Sequence, residues 1–192
     1  MFGVVPQYDG PVPLAALVEH LVANSLRTDG PFTLRSGAVS DWYLDARQTT
    51  FDGEGARLVG AAVLAVLHPD ARAVGGMTMG ADPIAVATAM VAAESGRDLK
   101  AFSIRTTEKD HGVGGRLVGP IDVSMPVVVV EDTTTTGGAA VEAARYLLDQ
   151  GFTIVQAIAV VDRSEGRAAA NFGELGIEHR ALIVPADLGV TS

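Results

Sequence analysis

Glu131 and Asp132 stand side by side directly after the apolar run Val127–Val130, and Thr133, Thr134, Thr135, Thr136, Gly137, Gly138 and Ala139 follow them. Four β-branched residues in a row read as a buried strand, so the carboxylates are expected where that strand emerges at its C-terminal edge. Two adjacent carboxylates are acceptors for sugar hydroxyls, and threonine hydroxyls can donate to phosphate oxygens. The Gly-Gly pair opens an Ala-rich helix whose first N–H groups face an anion, and glycine lets the backbone approach closely. That order suits a sugar phosphate. A P-loop is excluded, because it needs G-x-x-x-x-G-K-[ST] and no lysine lies near this run. The competing reading is a plain β–loop–α connection, but an acidic pair ending a valine run is costly without a task.

A second chemistry-bearing segment is R-T-T-E-K-D-H-G, Arg105 to Gly112, with Arg116 just beyond it. Among 14 cationic side chains the only lysines are Lys100 and Lys109. A cationic, glycine-flanked segment in a chain of net charge −9 is a plausible host for a small polyanion. The same net charge speaks against general nucleic-acid binding. With no cysteine, disulfides, thiolate nucleophiles and thiolate zinc sites drop out together. No apolar run approaches the roughly 18 residues of a membrane span, and the N-terminus lacks a basic leader. A cytoplasmic address is expected, with no membrane partner.

The elements that must hold these residues follow from periodicity. At 192 residues one domain is expected, 1–192, with residues 1–50 as a helix and small hood and 51–192 as the core. Leu14, Leu17, Val18, Leu21 and Val22 recur at helical spacing, predicting a helix over 12–27. Phe32–Arg35 and Trp42–Asp45 read as short strands around a Ser36-Gly37 turn, and 54–67 as a helix stopped by His68-Pro69. Beyond these the pattern alternates: strand 71–75, helix 83–94, strand 100–104, a glycine-rich loop or ribbon 106–120, and strand 127–130. Helix 138–150, strand 153–161, helix 166–175 and strand 179–184 complete it. Such alternation predicts a mainly parallel α/β sheet flanked by helices, with ligand beyond the C-terminal strand ends.

The run from Val127 to Ala140 resembles the phosphoribosyl-diphosphate (PRPP) signature of type I phosphoribosyltransferases. Four further segments, F-T-L-R-S-G (Phe32–Gly37), G-G-M-T-M-G-A-D-P (Gly75–Pro83), the Arg105–Gly112 loop and V-V-D-R (Val160–Arg163), narrow the resemblance to orotate phosphoribosyltransferases. That resemblance implies the type I phosphoribosyltransferase fold, with an N-terminal hood and a mobile catalytic loop. It implies transfer of the phosphoribosyl group from PRPP to orotate with Mg²⁺, and a homodimer whose loop acts in trans. Mg²⁺ would be held mainly by PRPP and water rather than by protein ligands.

By the same resemblance, Arg105, Lys109, His111 and Asp132 are catalytic, Arg105, Thr106, Lys109 and His111 also bind PRPP, and Glu131 and Asp132 hold the ribose hydroxyls. Thr133 to Ala139 wrap the phosphate, with Thr135 also near orotate. Gly76, Met79 and Gly80 belong to the pyrophosphate loop, and Arg35 adds a cation to the PRPP site. Tyr43 and Leu44 flank the orotate ring, and Arg163 meets its carboxylate. The chain departs from the family pattern at Thr106, where a loop lysine is usual, and at Met79-Gly80, where many relatives carry Tyr-Lys; Arg116 is a candidate replacement cation. A type I phosphoribosyltransferase for another base, or a non-catalytic PRPP-binding regulator, remains as an alternative.

Overall fold

The computed structural model describes residues 14–33, 37, 39–107 and 115–191. It begins with helix α1 (Leu14–Asn24) and strands β1 (Leu26–Arg27), β2 (Phe32–Thr33), β3 (Val39–Ser40) and β4 (Tyr43–Leu44). Helices α2 (Arg47–Thr50) and α3 (Gly53–Val66) lead into β5 (Ala73–Met77), α4 (Ala81–Glu94), β6 (Lys100–Ile104) and β7 (Leu117–Val118). Then come β8 (Val127–Thr134), α5 (Gly138–Asp149), β9 (Ile154–Asp162), α6 (Arg167–Gly173), β10 (His179–Ile183) and a 3₁₀ turn at Pro185–Leu188. No helix among the described residues is long and apolar enough to cross a membrane.

The central sheet has the order β10-β9-β8-β5-β6-β7. All neighbours run parallel except β6 and β7. From β5 the chain places β6 on one side and β8 on the other, so the direction of sheet growth switches between β5 and β8. A crevice opens beyond the strand ends at such a switch point. Alternation along β8 sends Val128 and Val130 into a core with Leu17, Val59 and Ile84. Val127 and Val129 enter a second core on the opposite face, with Ala143, Leu147 and Phe172.

Local chemistry fixes the helices that frame the crevice. The Asp52 carboxylate caps α3, accepting from the N–H groups of Glu54 at 3.1 Å and Gly55 at 2.9 Å. The helix stops where Leu67 turns extended ahead of His68-Pro69. A Cβ on Gly60 would lie 2.7 Å from the Ala87 carbonyl, so α3 can pack this closely on α4 only through glycine.

Several expectations are revised. The first helix ends at Asn24, whose side-chain amide donates to the His20 carbonyl at 2.9 Å. The following residues, Leu26–Arg27, instead pair with Tyr43–Leu44, while Phe32–Thr33 pairs with Val39–Ser40; the anticipated hairpin is therefore split between two partners. The ribbon within 106–120 is real in part, as Leu117 and Val118 pair with Ile104 and Ser103. The strand over 127–130 continues four residues further, to Thr134, because β9 runs alongside and pairs Glu131 with Ala159 and Thr134 with Asp162. On its other edge β8 loses β5 after Gly75–Val129. The strand therefore overhangs, paired on one side and open on the other.

Candidate active site

The overhang walls a cavity of about 540 Å³. Its lining draws on β8 (Glu131, Asp132, Thr133), the loop after it (Thr135, Ala139), the loop after β5 (Thr78, Met79, Gly80), β4 with α2 (Tyr43, Leu44, Asp45, Arg47), and Arg163 after β9. Residues scattered across the chain thus converge on the sheet's C-terminal edge.

Asp132 is the best-fixed group. Its Oδ1 accepts from the Thr133 backbone N–H at 2.8 Å. Its carboxylate also lies against Gly80, where a Cβ would stand 2.7 Å from Oδ1. A side chain at Gly80 would therefore require the Asp132 carboxylate to shift. Burial raises the Asp132 pKa, against the lowering effects of the Thr133 N–H and the Arg47 guanidinium. Glu131 accepts a short hydrogen bond from the Thr134 hydroxyl. Burial pushes its carboxyl up to about 7, with the charges of Asp132 and Asp162 adding to the shift.

The loop after β8 turns through Gly137, whose φ of 77° is left-handed. Asn171 donates to the Thr136 carbonyl at 2.9 Å, and the Gly138 N–H donates to the Thr136 hydroxyl at 3.3 Å. Thr135, Thr136, Gly138 and Ala139 are exposed at the start of α5, where N–H groups and the helix dipole favour an anion. Across the cavity, the loop after β5 passes through a cis Thr78–Met79 peptide. The Thr78 hydroxyl donates to Asp82 at 2.6 Å, which ties that loop to the first turn of α4.

Of the residues singled out from sequence, Tyr43, Leu44, Met79, Gly80, Glu131, Asp132, Thr133, Thr135, Ala139 and Arg163 share the cavity wall. Thr134 does not: it is buried, and its hydroxyl is spent on Glu131. Gly76 stands behind the wall, where a Cβ would meet the Val130 carbonyl at 2.4 Å; glycine there lets β5 lie close to β8. Arg105 and exposed Thr106 are also off the wall. Arg105 exchanges backbone contacts with Arg116, its N–H donating to the Arg116 carbonyl at 2.9 Å. Arg35, Lys109 and His111 lie outside the described residues.

Arg116 does not stand ready as a substitute cation. Its Nε donates to the Arg105 carbonyl and its Nη2 to Glu142, each at 2.6 Å, and the guanidinium lies over the Tyr146 ring. It clamps the base of the 105–116 segment to α5. Sequence reasoning missed Asp45 and Arg47, an ion pair at 2.8 Å on the cavity wall. The signal was an Asp and an Arg two residues apart, immediately past the Tyr43-Leu44 pair.

No protein-family model matches the chain. An orotate phosphoribosyltransferase of Rhodopirellula baltica is 38% identical over 185 residues, which span 93% of each chain. One from Streptomyces avermitilis is 41% identical over 162 residues, 84% of this chain and 89% of its own. The crystal structure of Mycobacterium tuberculosis orotate phosphoribosyltransferase in complex with PRPP matches with a TM-score of 0.77 at 32% identity, covering 92% of this chain and 99% of that one. Identity at this level over nearly the whole length, on the same mainly parallel sheet, places the chain in the orotate phosphoribosyltransferase family.

Proposed function

We propose that the chain is a pentosyltransferase that joins orotate N1 to C1 of the PRPP ribose, releasing pyrophosphate and forming orotidine 5′-monophosphate for pyrimidine synthesis. The observation that carries this reading is the overhanging end of β8. It brings the Glu131–Asp132 pair, the anion-facing start of α5 and Arg163 around one cavity.

In this reading Glu131 and Asp132 accept from the ribose 2- and 3-hydroxyls, and Thr134 positions Glu131. The 5-phosphate sits against Thr133, Thr135, Thr136 and the N–H groups of Gly137, Gly138 and Ala139. Pyrophosphate lies along the Gly76–Gly80 loop, where backbone donors replace the Tyr-Lys side chains that many relatives carry at Met79-Gly80. Orotate stacks between Tyr43 and Leu44, with its carboxylate at Arg163, a planar fork for a planar anion. The orotate anion needs no activated nucleophile. The barrier lies in charge developing on the leaving group and on an oxocarbenium-like ribose. Arg35 and the loop residues Arg105, Lys109 and His111, the loop reaching in from the second subunit of a homodimer, would neutralise the pyrophosphate. One preorganised donor of this kind is typically worth about 10²–10³ in rate. Loop closure would also keep water from PRPP.

The carboxylates of Glu131 and Asp132 on the cavity wall are hard oxygen donors that would suit Mg²⁺ carried mainly by diphosphate oxygens and water. Bound that way, the ion supplies charge neutralisation on the diphosphate. A cysteine-free chain fits a reducing cytoplasm.

The test is direct. With Mg²⁺ and PRPP, orotate absorbance should fall as product forms, while hypoxanthine, adenine and uracil should be poor acceptors. Turnover of a purine but not orotate would reassign the base; PRPP binding without turnover of any base would make the protein a PRPP-binding regulator.

A further inference from the structure

Trp42 is 7% exposed and does not line the cavity, yet the guanidinium carbon of Arg163 lies 3.9 Å from its ring centroid. Among the described residues, the other cation–ring contacts, Arg27 on Phe32 and Arg116 on Tyr146, are looser at 5.0 and 5.1 Å. The indole is itself held in place: Nε1 donates to the Thr191 carbonyl at 2.7 Å, and the Ser40 hydroxyl donates to the Trp42 carbonyl at 2.8 Å. Arg163 is fixed at its other end, its backbone N–H donating to the Thr134 carbonyl at 2.8 Å. Its guanidinium N–H groups have no hydrogen-bond acceptor among the described residues, although it is partly buried and faces the cavity.

A guanidinium stacked on a ring spends one π-face and keeps its N–H edge free in the plane. From this geometry we infer that Trp42 is a positioning residue for base recognition, holding the Arg163 fork flat so that its free edge meets the carboxylate of a planar acidic base. The inference rests on the functional reading above and adds a source of specificity to it. A base without a carboxylate would leave that edge unpaired, and unpaired buried donors are what reject an analogue.

The experiment uses Trp42→Leu and Trp42→Phe in the full chain, with KM measured separately for orotate and PRPP. Trp42→Leu should raise the orotate KM about tenfold, within the range of a desolvated cation–π contact, with the PRPP KM moving less than about twofold. Trp42→Phe, which keeps a ring, should recover most of the loss. Because Trp42 is the sole tryptophan, its emission gives a second readout that does not require the leucine variant to fold. Orotate titration should shift wild-type emission, uracil should not, and in Arg163→Gln the orotate shift should vanish. Equal changes in both KM values, an unchanged orotate KM, or an emission shift that survives Arg163→Gln would overturn the inference. If wild type turns over no orotate, the functional reading falls first and this one with it.

Discussion

Glu131 is a carboxyl the fold holds at a cost, and Glu131→Gln should make the protein more stable while damaging its activity. Burial raises the carboxyl from 4.5 to about 7. The native state therefore binds its proton more tightly than the unfolded chain does. The stabilisation that protonation brings is fully present below about pH 4.5 and is lost as pH rises through about 7. Relative to the unfolded chain, in which the group ionises freely, holding this carboxyl in the fold costs about 3 kcal/mol at pH 8 and about 1 kcal/mol at pH 5, where the native group is still protonated. Glutamine keeps an acceptor for the Thr134 hydroxyl but never ionises. Urea unfolding at the two pH values should show the variant ahead of wild type by about 3 kcal/mol at pH 8 and by about 1 kcal/mol at pH 5. For a chain of this size, the larger figure corresponds to roughly 10 °C in Tm. The same titration predicts that wild-type PRPP binding strengthens between pH 6 and 8, as Glu131 becomes a full acceptor for ribose hydroxyls. A stability gap that is the same at both pH values, or a variant less stable than wild type at pH 8, would refute the reasoning.

Three further outcomes follow from the site. Gly80→Ala should displace the Asp132 carboxylate, since the new Cβ would fall 2.7 Å from its Oδ1; the PRPP KM should rise about tenfold or more, the worth of a hydrogen bond to a charged group. Arg116→Ala should lower kcat and cost about 1–2 kcal/mol in thermal unfolding, by freeing the Arg105 carbonyl and Glu142 from their clamp. Arg116→Lys should not restore kcat, because one ammonium cannot reproduce the fork. Thr106→Lys should lower the PRPP KM roughly fivefold, about 1 kcal/mol, because Arg116 is committed elsewhere; an unchanged KM would mean another cation already serves the pyrophosphate.

Much of this was readable from residue order because local chemistry determined it. Lys100–Ile104 is a strand with the bounds its apolar pattern gives, and the Gly137-Gly138 pair opens α5 where a left-handed turn demands glycine. What escaped was determined by distant partners. At Glu131 the chain stops being apolar, so nothing local says that the strand continues; the nine-residue length of β9 decides it. The four residues of α2 are too few to show a period. The bond from Trp42 to Thr191 spans 149 positions of sequence, and the stacking of Arg163 on Trp42 is equally invisible to any window. Thr134 looked like its three threonine neighbours, and only burial of the whole residue separates the one that supports Glu131 from half-buried Thr133 and exposed Thr135 and Thr136.

The continuation of β8 has a consequence for how the acidic pair works. Had Glu131 and Asp132 stood in a loop, their carboxylates would have been solvated, close to their ordinary pKa values, and free to reorient. In a strand paired to β9 on one edge and open on the other, their backbone is fixed and their carboxylates are partly buried on the cavity wall. Burial raises the pKa of both groups. In such a site two hydroxyls presented by a ribose replace lost water without any reorganisation of the acceptors, which is the condition for preorganised electrostatic binding. The roughly 3 kcal/mol held at Glu131 is thus a cost of folding that binding can partly return. An amide at this position removes the cost and the return together, so the stability and activity of Glu131→Gln should move in opposite directions.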